Sequence, residues 1–152
     1  MAALKEGDQA PQFTANNQNG TAVALADFLG KKVILYFYPK DNTPGCTVEA
    51  CDFRDNYQSL TQKGFEVIGV STDDEKSHKK FETKFELPFT LIADTEQEIV
   101  NKYGVWIEKS MYGKKYMGTE RKTFVIDEQG KIIHIINKVD TKNATQQLLD
   151  LL

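Results

Sequence analysis

The stretch Val33-Ile34-Leu35-Tyr36-Phe37-Tyr38-Pro39-Lys40-Asp41-Asn42-Thr43-Pro44-Gly45-Cys46-Thr47-Val48-Glu49-Ala50-Cys51 reads as a strand, a loop and the first turns of a helix. The run Val33 to Tyr38 is apolar and aromatic without polar alternation, β-branched at its start and closed by Pro39, which predicts a central strand buried on both faces. Thr43 and Pro44 then fit N-cap and N1. The threonine hydroxyl can accept an orphan amide hydrogen bond, and proline lacks the N–H that would go unused there. Cys46 falls at N3. Ala50, Phe53, Tyr57 and Leu60 recur at helical spacing, and Cys46 lies four residues before Ala50, so its sulfur heads the inward stripe. The thiol is expected at the carboxyl edge of the strand, where open α/β sheets bind ligands.

A thiol in that place has a chemical consequence. The amides of a first helical turn and the helix dipole favour an anion, and thiols at helix N-termini ionise more readily than a free cysteine of pKa about 8.5. Cys46 and Cys51 are the chain's only two cysteines.

Working outward, Phe65 to Ser71 and Thr90 to Ala93 read as short buried strands. A helix from about Glu75 to Phe85 lies between them, with Phe81 and Phe85 on one face. Gln97 to Tyr103 reads as a short helix. Thr123 to Asp127 and Ile132 to Ile136 read as a hairpin across Glu128-Gln129-Gly130-Lys131, and Thr141 to Leu152 as a closing helix with Leu148 and Leu152 inward. The order predicts an α/β protein with a central mixed sheet flanked by helices. At 152 residues with 40% apolar composition, residues 1–152 are expected to form a single domain with one core. A net charge of −3 disfavours nucleic acid and anionic membrane as main partners, since both select for basic patches. Lys109 to Lys115 is a local basic exception, expected to be a solvated loop. No run is long enough to span a bilayer and no signal-peptide core is seen, so a cytoplasmic setting is expected.

The spacing Pro-x-x-x-Thr-x-x-Cys over Pro39, Thr43 and Cys46 resembles the active-site signature of the peroxiredoxins. Thr43-Pro44-Gly45-Cys46-Thr47-Val48-Glu49-Ala50-Cys51 is similar to the subgroup called peroxiredoxin Q or bacterioferritin comigratory protein. The likeness extends through Gly7-Asp8-Gln9-Ala10-Pro11-Gln12-Phe13, Leu87-Pro88-Phe89-Thr90-Leu91-Ile92-Ala93-Asp94 and Arg121-Lys122-Thr123-Phe124-Val125-Ile126-Asp127, and so covers nearly the whole chain. It implies a thioredoxin-like fold, with Phe13 to Ala24 and its turn at Asn19-Gly20 as an added N-terminal hairpin.

The resemblance also implies an activity: a thiol peroxidase that reduces hydrogen peroxide and organic hydroperoxides in antioxidant defence. Cys46 would be the peroxidatic nucleophile and Cys51 the resolving cysteine. Their intramolecular disulfide would be recycled by thioredoxin or a similar dithiol reductant, without metal or cofactor, in a monomer. Charge moves from sulfur to the departing oxygen, so the site must aim donors at both oxygens. The Thr43 hydroxyl and the amides of Gly45 and Cys46 are local candidates. The cation must come from elsewhere, and only two arginines occur, against seventeen lysines. Arg121 matches the family's distal active-site arginine, and its planar fork suits two acceptors better than a lysine does. Arg54, two turns beyond Cys46, is the weaker candidate. Glu49 matches a position that orients the arginine, and Pro39 would shield the sulfenic acid.

Two other functions compete. A general disulfide oxidoreductase uses cysteines separated by two residues, whereas four intervene here. A metal module using Cys46, Cys51, His78 and His134 matches no common zinc spacing. His78 and His134 are expected to be partly buried structural residues, and Trp106 and Tyr38 to be core or pocket wall.

Overall fold

The computed structural model describes residues 3–152. The chain opens with two short strands, β1 (Thr14–Asn16) and β2 (Ala22–Ala24), and then enters β3 (Lys32–Phe37). The helices α1 (Pro44–Asp55) and α2 (Tyr57–Gln62) lead to β4 (Phe65–Ser71), α3 (Glu75–Phe85), β5 (Thr90–Ala93) and α4 (Glu98–Lys102). Strands β6 (Trp106–Met111), β7 (Lys114–Thr119), β8 (Lys122–Ile126) and β9 (Ile132–Ile136) follow, with α5 (Ala144–Leu149) at the end.

The central sheet has the order β5-β4-β3-β8-β9. Strands β3, β4 and β5 run parallel, while β8 and β9 are antiparallel to their neighbours, as a mixed sheet requires. The apolar run in β3 is explained by burial on both faces. Ile34, Tyr36 and Tyr38 join one core with Ala50 and Phe53 of α1, whereas Val33, Leu35 and Phe37 join a second core with Val70 and Phe124. Truncating a ring such as Phe53 to alanine inside such packing costs about 3–5 kcal/mol. Gly69 sits opposite Tyr36 in the β3–β4 register, and a Cβ there would lie 2.9 Å from the Tyr36 ring and 3.0 Å from Leu91. The glycine lets that ring lie flat across β4.

The structure corrects several expectations. The helical periodicity from Ala50 to Leu60 spans two helices, because Asn56 leaves helical geometry (φ −106°, ψ 5°) while its Nδ2 donates to the Asp52 carbonyl at 2.8 Å. A side chain competing for the helical ladder in this way kinks it. The closing helix is shorter than predicted: Thr141–Asn143 forms a 3-10 turn, Leu148 is buried and Leu152 is exposed. Lys109 to Lys115 is no loop. It lies within the β6–β7 hairpin, whose two-residue turn places Tyr112 (φ 52°) and Gly113 (φ 79°) in the left-handed region that right-twisting hairpins favour.

Candidate active site

The β3–β8 pairing sets Phe37 opposite Lys122, so Arg121, just before β8, reaches the end of β3 where the 39–43 loop begins. That loop delivers the chain into α1 with Thr43 at the N-cap and Pro44 at the first helical position. Cys46 is 1% exposed and heads the buried stripe Cys46, Glu49, Ala50 and Phe53.

Arg121 joins the two sides. Its Nη2 lies 3.1 Å from Cys46 Sγ, and its Nη1 donates to Glu49 Oε1 at 2.6 Å. Gly45 leaves room for this: a Cβ on it would stand 3.2 Å from Arg121 Nη2. Burial opposes the arginine's charge, but Glu49 and Cys46 outweigh it and hold the guanidinium protonated. Burial pushes the Glu49 carboxyl up to about 7, against the pull of Arg121. Glu49 Oε2 and the Tyr36 hydroxyl have no hydrogen-bond partner among the described residues. Lys109, from β6, adds a second cation beside Arg121. Its ammonium is lowered by burial and then by that arginine, and its Nζ donates to the Thr119 carbonyl.

Thr43 departs from the expected cap. Its hydroxyl makes no helix-capping hydrogen bond and donates to the Lys40 carbonyl at 2.8 Å. Its proton is spent inside the loop, so towards a substrate its oxygen is an acceptor. Thr47 N–H bonds Thr43 O at 2.8 Å, while the amides of Gly45 and Cys46 have no acceptor among the described residues, as first-turn donors do. Pro39 is half-buried at the start of the loop. Cys51 is half-buried on the same helix, and both cysteines are free thiols. Arg54 is turned away, donating to Asp55 and to the Phe85 carbonyl.

The two histidines do not join the cysteines. His78 is fully buried, more so than expected, between Asp41 and the Ile92 carbonyl, and His134 lies 3.8 Å from Glu6. Among the described residues the one acidic and histidine group close enough to share an ion is Asp41, Asp73 and His78. The 2.7 Å contact between His78 Nδ1 and Asp41 Oδ2 already spends those atoms on each other. Sequence reasoning missed this cluster, although an aspartate inside an active-site loop and a histidine on an apolar helix face were both visible.

The model of the AhpC/TSA family matches residues 6–135. A putative peroxiredoxin bcp from Coxiella burnetii is 49% identical over 137 residues, covering 90% of this chain and 91% of that one. Peroxiredoxin Bcp of Bacillus subtilis is 44% identical over 149 residues, covering 98% and 95%. The chain is a peroxiredoxin of the AhpC/TSA family. Among solved structures, a cysteine-to-serine mutant of PrxQ from Xylella fastidiosa superposes on this peroxiredoxin with a TM-score of 0.92 at 30% identity, covering 99% and 96%. A bacterioferritin comigratory protein of Xanthomonas campestris, solved to examine its alkyl peroxide reduction activity, gives 0.86 at 33%, covering 91% and 88%. This peroxiredoxin shares their thioredoxin-like fold. No helix among its described residues is long and apolar enough to cross a membrane.

Proposed function

We propose that this peroxiredoxin reduces hydrogen peroxide and organic hydroperoxides through Cys46, with Cys51 resolving the product and a thioredoxin-type dithiol restoring the thiols. The observation that carries the reading is the fork of Arg121, set against Cys46 Sγ at 3.1 Å and anchored on Glu49 at 2.6 Å. The donors on the guanidinium face can hold a peroxide oxygen beside the sulfur.

In the first step the thiolate attacks the near oxygen of the hydroperoxide and the O–O bond breaks. The S–O bond forms, and the leaving oxygen takes a proton to depart as water or alcohol, giving the Cys46 sulfenic acid. The Thr43 oxygen accepts from the peroxide O–H, the amides of Gly45 and Cys46 and the Arg121 fork stabilise the developing charge, and Pro39 narrows the way for further oxidant. Cys51 then attacks the sulfenic sulfur and water leaves as the disulfide forms. A dithiol reductant takes over that disulfide by thiol exchange.

Both cysteines lie within α1, and five helical residues separate their α-carbons by on the order of 8.5 Å, whereas a disulfide tolerates about 4.4–6.8 Å. Resolution therefore requires local unwinding of α1, which also brings the disulfide to a reductant. The whole chain acts here as one cytoplasmic, monomeric unit.

Cys46→Ser is expected to abolish peroxide consumption. Cys51→Ser should leave a single rapid turnover and a sulfenic acid that a dimedone-type probe labels on Cys46. Mass spectrometry placing the label on Cys51, with Cys46 unmodified, would invert the assignment.

A further inference from the structure

The 39–43 loop decides where Cys46 stands, and one of its residues takes no part in the peroxide chemistry described above. Asp41 is 7% exposed, and three donors converge on its carboxylate: the Tyr38 hydroxyl on Oδ1 at 2.6 Å, with Ser77 Oγ at 2.8 Å and His78 Nδ1 at 2.7 Å on Oδ2. Its own N–H donates to Asp73 Oδ2 at 2.8 Å, and the same oxygen takes the Ser71 hydroxyl at 2.7 Å. The loop is thus tied to the turn between β4 and α3.

His78 extends the tie to β5. Its side chain is fully buried, and its second nitrogen lies 2.8 Å from the Ile92 carbonyl oxygen. A carbonyl oxygen and an ionised carboxylate only accept hydrogen bonds. An imidazole between the two can satisfy both only by donating from both nitrogens, which makes it a cation. A neutral ring would aim a lone pair at one of two buried oxygens. A proton placed on Asp41 instead would fit poorly, because Tyr38 and Ser77 already donate to that carboxylate.

We propose that Asp41 and His78 are positioning residues for Cys46, a buried carboxylate–imidazolium pair that pins the 39–43 loop to α3 and β5. The groups facing His78 are Asp41 from the loop, Asp73 from the β4–α3 turn, the Tyr38 ring just beyond β3 and the Ile92 carbonyl from β5. Burial alone lowers the imidazole. The hydrogen bond and charge of Asp41, the Ile92 carbonyl and the charge of Asp73 outweigh it and hold the ring above its ordinary value. The imidazolium is therefore held past the pH at which an ordinary histidine gives up its proton, and is lost as pH rises past the raised value. Its loss frees one anchor of the loop and lowers the rate of peroxide reduction.

The proposal rests on Cys46 being the peroxide-reacting thiol, but its first test does not use activity. In long-range 15N NMR spectra of the reduced wild-type protein followed across pH, both His78 nitrogens are expected to stay protonated to higher pH than in an ordinary histidine, which titrates near about 6.5. The peroxide rate constant should then fall over the same pH range in which NMR shows His78 losing its second proton. His78→Gln, which offers a single donor nitrogen, should lower that constant about tenfold or more at neutral pH. Asp41→Asn can keep the contact with a neutral ring, so it should fold, retain more activity than His78→Gln and lack the alkaline fall. A His78 ring that gives up its second proton at or below that ordinary value overturns the proposal. So does a wild-type rate that stays flat through the His78 titration, or an alkaline fall unchanged in Asp41→Asn. Failure of the proposed function would show in Cys46→Ser and leave the NMR result standing.

Discussion

At 2.6 Å from Glu49 Oε1 and 3.1 Å from Cys46 Sγ, the Arg121 guanidinium serves two acceptors with two separate nitrogens. A lysine would bring one charge to one of them. Arg121→Lys is therefore expected to lower the second-order rate constant with hydroperoxide at least about tenfold, some 1.4 kcal/mol of transition-state stabilisation, measured by stopped flow. A near wild-type constant would remove Arg121 from the site. Glu49 holds the other end of the fork at a cost to stability. Its carboxyl, pushed up to about 7 by burial, keeps a proton that the unfolded chain releases from about pH 4.5. The Glu49 contribution to stability is thus full below pH 4.5, falls as pH rises through that window, and above pH 7 is reduced by about 3 kcal/mol. Glu49→Gln should flatten this slope in denaturant unfolding followed from pH 4 to 8, while slowing peroxide reduction at pH 8, where the Glu49 carboxyl is ionised and the arginine loses a charged anchor. A slope that persists in the variant would show that Glu49 is not its source. The Arg121–Cys46–Glu49 constellation was legible in the sequence from the family pattern. The role of Gly45 as the gap that admits the fork was not, since it depends on a residue 76 positions away.

α1 is predicted to change with oxidation, because two thiols on one regular helix cannot meet. Hydrogen exchange on the disulfide form should lose amide protection from about Cys46 to Arg54, with β3 unchanged. Equal protection in both forms, or a disulfide-linked dimer on a non-reducing gel, would refute it. At this scale the sequence was readable wherever a segment buries a face. Strand β3 showed as an unbroken apolar run, and α3 as Phe81 and Phe85 on one stripe. The β6–β7 hairpin was hidden because Lys114, Lys115, Tyr116 and Met117 are exposed and follow no alternation that a core would impose. Its sole local mark was the Tyr112-Gly113 turn. The break at Asn56 was hidden for the opposite reason: Tyr57 and Leu60 keep the helical rhythm across it.

Across the whole molecule, the mixed sheet could be read in advance because strand and helix signals alternate at the lengths that parallel crossovers need. The polar cluster around Asp41 could not, since Asp73, Ser77 and His78 meet that aspartate only once the chain has passed through β4 and α3 has packed against β5. The two cores on either side of β3 differ in what they hold. Cys46, Ala50 and Phe53 of α1 all belong to one, and the other contains nothing from that helix. The division works like a vice with one fixed jaw. In the unwinding proposed for α1, the far side of β3, with Val33, Leu35 and Phe37 still clamped against Val70 and Phe124, should keep the strand and its departing loop in place for the helix to return to.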